Sequence, residues 1–98
     1  MRTEIILLVE ESPEIREAVA RPYLEAGAWV EAPGDCGRAF RFLATFRPDW
    51  ILVSEKNAAE MLHWLRAHEN RIDVPVVLLP DVQISNTRER KGGQSKAA

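Results

Sequence analysis

Apolar residues follow two rhythms along this chain. The runs Ile5 to Val9, Trp50 to Val53 and Val74 to Leu79 have strand length and lack polar alternation, which predicts central strands buried on both faces. Trp29 to Ala32 is a shorter strand, ended by Pro33-Gly34. Between these runs the spacing turns helical. Ser12-Pro13 supplies an N-cap and a proline at the first helical position, and Glu14 and Glu17 suit the positive end of the helix. Ile15, Ala18, Val19, Pro22, Tyr23 and Ala26 then recur at three- and four-residue intervals until Gly27 gives a stop. Pro22 removes a backbone bond and crowds the preceding turn, which predicts a kink or an early end between Ala18 and Arg21. Asp35 caps a second helix with Cys36, Ala39, Phe40, Leu43 and Phe46 on one side, and Arg47-Pro48-Asp49 breaks it. Ala58, Met61, Leu62 and Leu65 mark a third helical face.

Strands and helices thus alternate, β-α-β-α-β-α-β, with short connections. Because parallel crossovers are right-handed, this order predicts an open, mostly parallel α/β sheet with helices on both faces. Ligands of such sheets bind beyond the carboxyl ends of the strands. Glu10, Glu11, Ser54 and Pro80 all follow strand runs and share that rim.

Charge divides the chain. Residues 1–86 carry nine Lys/Arg against fourteen Asp/Glu, while residues 87–98 carry four against one. The first segment reads as one acidic globular domain and the second, with its Gly pair and no apolar periodicity, as a flexible basic tail. Four basic residues without aromatics would give only weak, salt-sensitive phosphate binding, so nucleic acid is not the expected partner. The single cysteine, Cys36, excludes an internal disulfide, and His63 and His68, five apart, do not share a helix face for a metal. No apolar stretch approaches membrane-spanning length and no leader pattern opens the chain, so a cytoplasmic protein without a membrane partner is expected.

Three ordered stretches carry a family resemblance. Ile6-Leu7-Leu8-Val9-Glu10-Glu11-Ser12-Pro13-Glu14-Ile15-Arg16, Arg47-Pro48-Asp49-Trp50-Ile51-Leu52-Val53-Ser54 and Val74-Pro75-Val76-Val77-Leu78-Leu79 together resemble the receiver domain of bacterial response regulators, over roughly residues 4–82. The resemblance implies a flavodoxin-like fold. It also implies transfer of a phosphoryl group from a histidine kinase to an aspartate, with Mg²⁺ held by that aspartate and an acidic pair. Only nineteen residues follow Leu79, so strand order 2-1-3-4 is expected, without the family's fifth strand and last helices. Val82-Gln83-Ile84 could add no more than a brief strand.

The chemical positions depart from the family. Glu10 matches the first acidic position, but Glu11 stands where aspartate is usual, and the extra methylene displaces its carboxylate by about 1.5 Å. Mg²⁺ demands near-octahedral geometry, so a Glu10–Glu11 site would hold it weakly at best. Ser54 occupies the phosphoacceptor position with a neutral hydroxyl and no evident base. Pro80 stands at the switch position, where the family has a hydroxyl residue. The family lysine has no counterpart, since Lys91 and Lys96 lie in the tail, and the loop Glu55-Lys56-Asn57-Ala58-Ala59 is short. Glu55 is no substitute acceptor, because a one-residue shift reverses the side chain.

A receiver scaffold without phosphorylation chemistry is therefore expected, a pseudo-receiver and not an enzyme, acting through protein contacts. Its partner would be a histidine kinase, another signalling protein or a second copy pairing along the apolar fourth strand. The missing last helix would leave part of one sheet face open. The alternative is a phosphorylatable receiver that uses Ser54 or a neighbouring acid with Mg²⁺.

Overall fold

The computed structural model describes residues 2–68 and 73–79. In chain order these form β1 (Ile5–Val9), α1 (Pro13–Glu25), β2 (Trp29–Glu31), α2 (Cys36–Thr45), β3 (Trp50–Val53), α3 (Glu55–Ala67) and β4 (Val76–Leu78). The strands make one parallel sheet in the order β2-β1-β3-β4. Pro80, the Val82-Gln83-Ile84 segment, the domain limit at 86 and the basic tail lie outside the described residues.

Side chains of successive strand residues alternate between the two sheet faces, and each face has its own core. Leu7, Val9, Ile51 and Val53 pack beneath Cys36, Ala39 and Leu43 of α2 and Met61 and Leu65 of α3. Ile6, Leu8 and Leu52 pack on the other face with Val19, Ala20 and Tyr23 of α1. Removing a fully buried leucine such as Leu7 or Leu8 should cost about 2–5 kcal/mol. This second face is less open than the sequence suggests, because Leu52 and Leu79 are buried and Val77 half-buried. Trp50, at its amino end, does stay 40% exposed, with its indole N–H donating to Glu4.

The elements start where the caps predict. Ser12 Oγ accepts from Ile15 N at 3.4 Å, and an Asp35 carboxylate oxygen accepts from Arg38 N at 2.9 Å. Gly27, at φ 93°, makes the turn after α1 in the left-handed region that favours glycine. The carboxylate of Asp49 accepts from Ile5 N at 2.8 Å and from Arg2, joining the start of β3 to the start of β1. This Arg2 bond and then the Ile5 bond hold the Asp49 carboxyl below its usual range.

Helix α1 corrects two expectations. It runs through Pro22 to Glu25 and does not end between Ala18 and Arg21. Proline falls in the last turn, and hydrogen bonding resumes at once, with Ala26 N donating to Pro22 O at 3.1 Å. The inward stripe is also rotated. Ile15 is 48% exposed and Ala18, Pro22 and Ala26 are exposed, whereas Arg16, Val19, Ala20 and Tyr23 turn toward the sheet. An arginine in one stripe position hid the true phase. On α3, similarly, Leu62 faces outward and Trp64 packs on the core in its place.

Aromatic side chains fasten the outer ends of α2 and α3. Trp29 meets Phe42 and Phe46 edge-on, at centroid distances of 5.8 and 5.3 Å. Phe40, Trp64 and His68 form a continuous stack with spacings of 5.0 and 3.7 Å, and a ring nitrogen of His68 contacts Trp64 O. This stack occupies His68, while His63 is exposed. Strand β4 is shorter than the run 74–79, because Pro75 lacks an N–H and contributes only its carbonyl, to Ile51 N at 2.9 Å.

Candidate functional site

Register brings the crevice together. Val9 lies opposite Val53 in the parallel pair, so Glu10 and Ser54 leave the sheet side by side, and Ser54 N donates to Val9 O at 3.0 Å. Glu10 and Ser54 are 5% and 6% exposed, the buried polar residues among those described. Buried polar groups need partners, and both have them.

The two glutamates do different work. Glu10 folds back and accepts from Ser12 N at 2.9 Å, which pins the turn leading into α1. Glu11 reaches across the crevice. Its Oε1 accepts from Ser54 Oγ at 3.2 Å and from Asn57 Nδ2 at 3.0 Å, and Nδ2 also donates to Ser54 Oγ at 2.8 Å. Hydrogen bonding to its own backbone N–H, then to Ser54, holds the Glu11 carboxyl below its usual range against the opposing effect of burial, with Lys56 and Asn57 adding to the depression. Arg16 closes one side. Its Nη1 donates to Glu10 O at 2.8 Å and Glu11 O at 3.3 Å, in space where a Cβ on Gly34 would approach to 3.3 Å.

Three of these features differ from the sequence reading. Ser54 has a base within reach, the Glu11 carboxylate, although the lowered pKa makes it a poor one at neutral pH. The 55–59 segment is not a loop, because β3 ends at Val53, Ser54 is the N-cap and α3 begins at Glu55. Asn57 therefore sits in the first helical turn, three residues from Ser54 and on the same side. Sequence reasoning missed it. The signal was the Ser-x-x-Asn spacing, a polar partner three residues after an N-cap, masked by treating 55–57 as loop.

Asn57 links the crevice to the core. Cys36 Sγ lies 3.6 Å from Asn57 Oδ1 and 3.7 Å from Asn57 O. Burial, reinforced by Glu60, pushes the Cys36 thiol up to about 11, so it remains a neutral S–H donor at physiological pH.

The donor set does not fit the Mg²⁺ that the resemblance implies. The third position, Ser54, is neutral, and both Glu10 and Glu11 already accept protein N–H or O–H bonds. Among the described residues no group of three or more His, Cys, Asp or Glu is placed to hold a metal ion. Glu55 follows Ser54 as an exposed first residue of α3 and does not join the hydrogen-bonded cluster among the contacts above.

No family model matches the chain, and no curated protein matches it. Solved structures do. A chemotaxis response regulator of Vibrio cholerae aligns with a TM-score of 0.71 at 22% identity, over 79% of this chain and 68% of that one. The signal receiver domain of a signal transduction histidine kinase from Syntrophus aciditrophicus aligns with a TM-score of 0.70 at 24% identity, over 97% and 78%. A structure described as a transiently phosphorylated "switch" in bacterial signal transduction aligns with a TM-score of 0.62 at 20% identity, over 97% and 81%. Together with the 2-1-3-4 parallel order, these likenesses assign the flavodoxin-like fold of response-regulator receivers.

Proposed function

We propose that this chain is a pseudo-receiver, a regulatory domain of two-component type that works through protein contacts and does not carry a phosphoryl group. One observation supports this most: the residue at the acceptor position is a serine whose hydroxyl is 3.2 Å from Glu11 and 2.8 Å from Asn57. Its hydroxyl lies against a carboxylate of lowered pKa and accepts from an amide, and among the described residues no third carboxylate completes a cation site. A serine ester, moreover, would lack the lability of an acyl phosphate. The partner on this reading is another protein, either a histidine kinase, a further signalling protein or a second copy, and the setting is the cytoplasm. No helix among the described residues is long and apolar enough to cross a membrane.

Intact-mass measurement after incubation with Mg²⁺ and a small acyl phosphate tests the proposal. The mass should not change. One added phosphate, mapped to Ser54 or to a neighbouring acid, would replace this reading with that of a working receiver.

A further inference from the structure

We infer that Asn57 does the work of the missing cation, with its side-chain amide bridging Glu11 and Ser54 and closing the crevice to Mg²⁺. This inference rests on the pseudo-receiver reading and says what holds the crevice together in that state.

A cation in such a crevice would draw polar oxygens from β1 and β3 toward one point. Here one nitrogen does so. Asn57 Nδ2 is 3.0 Å from Glu11 Oε1 and 2.8 Å from Ser54 Oγ, so its two hydrogens can serve the two acceptors. The remaining contact of the triangle, Ser54 Oγ to Glu11 Oε1 at 3.2 Å, uses the hydroxyl hydrogen. Every donor then has an acceptor. The opposite orientation of the amide would set its oxygen against the Glu11 carboxylate and the nitrogen against the thiol, leaving two acceptors facing each other.

The thiol favours that orientation. Cys36 Sγ lies 3.6 Å from Asn57 Oδ1 and 3.7 Å from Asn57 O, with Glu60 as a further neighbour, and is held as a neutral donor inside the core. The bonds run in one direction, from Cys36 to Asn57 to Ser54 to Glu11, an order in which each bond polarises the next. Backbone geometry contributes as well, since Asn57 N donates to Ser54 O at 3.0 Å in the first turn of α3. The amide is therefore attached to the two strands it joins through β3 and through the α2 core, and needs no ion to hold it.

Replacing this amide by a carboxylate should reverse the arrangement. Asn57→Asp would set a carboxylate against that of Glu11, at the 3.0 Å contact the amide now makes, repulsive without a cation and a hard-oxygen site with one. Thermal unfolding of the wild type should give the same midpoint in EDTA and in millimolar MgCl₂ at matched ionic strength. The Asn57→Asp variant should melt lower in EDTA and regain about 4–8 °C with Mg²⁺, the shift expected for a domain this size per kcal/mol recovered. A saturable Mg²⁺-dependent rise in the wild-type midpoint would overturn the inference, and so would an Asn57→Asp variant indifferent to Mg²⁺.

Amide NMR of the wild type tests the same point without a variant. The two Asn57 side-chain protons should be protected from exchange and unmoved through a MgCl₂ titration. Exchange at the rate of exposed amides, or a titrating shift, would count against the bridge. The outcomes separate from those of the phosphorylation test: Mg²⁺ binding without labelling removes this inference alone, whereas labelling removes the pseudo-receiver reading.

Discussion

Single substitutions at Ser54, Cys36 and Glu11 probe the crevice most directly. Ser54→Asp would put a carboxylate against Glu11, whose Oε1 is 3.2 Å from the present hydroxyl. With the Asn57 amide still on Glu11 and closing the crevice to Mg²⁺, the two charges repel, and the variant should remain unlabelled by a small acyl phosphate in Mg²⁺. Efficient labelling would show that residue 54 alone decides the chemistry. Cys36 gives a second handle. The thiol is 3% exposed with its pKa at about 11, so alkylation near pH 8 should be far slower than for a free thiol and should recover in denaturant. Rapid alkylation of the folded protein would mean that Asn57 lacks the donor assigned to it.

Among the elements, α2 offers the simplest stability test. Asp35→Ala removes the acceptor for Arg38 N and should cost roughly 1 kcal/mol in denaturant unfolding, the usual worth of an N-cap. Gly27→Ala probes the turn after α1, where φ is 93° and nothing lies within 4 Å of a new Cβ. Its destabilisation, on the order of 1–2 kcal/mol, would be conformational and not steric. A neutral result at both sites would mean that tertiary packing alone sets these helix ends.

The same elements show what the sequence made legible. Uninterrupted runs such as Ile5–Val9 have few readings other than buried parallel strands, and the Ser12 and Asp35 caps are local hydrogen bonds that composition reveals directly. The phase of α1 was hidden because Arg16 holds an inward position for its guanidinium, an assignment visible only once the Glu10 and Glu11 carbonyls are in place. Position 54 and the acidic pair could be found from strand ends alone. Asn57 could not, since its role depends on α3 starting without an intervening loop and on a thiol that is distant in sequence.

At the level of the whole molecule, pH and concentration are the informative variables. Glu11, Asp49 and Asp73 are each held below their usual range, Glu11 chiefly by its own backbone N–H, Asp49 by Arg2 and Asp73 by Arg47. A depressed folded-state pKa adds stability above the unfolded value, and this stability is lost as pH falls through the folded one. Thermal midpoints should therefore be level near neutrality and decline below about pH 4, modestly for each group because Glu11 and Asp73 are exposed and Asp49 is only half-buried. A decline that sets in well above about pH 4 would mean that these three carboxylates do not set the acid limit. Among the described residues β4 pairs only with β3, and its Val76, Val77 and Leu78 are half-buried. Such a strand edge favours pairing, so light scattering after size exclusion should detect dimers at high micromolar concentration. Monomer throughout would remove self-association from the partners proposed.

The join between β3 and α3 has a mechanical consequence. With no slack between Val53 and Glu55, α3 is a lever about 20 Å long, hinged at Ser54 and carrying Trp64 near its far end. A tilt of about 10° at the hinge would sweep the tip through about 3 Å, a large part of the 5.0 Å spacing between Trp64 and Phe40 of α2. A change that shifted the crevice end of α3 would therefore be felt at the Trp64 end of the same helix, against the hold of the buried Met61 and Leu65.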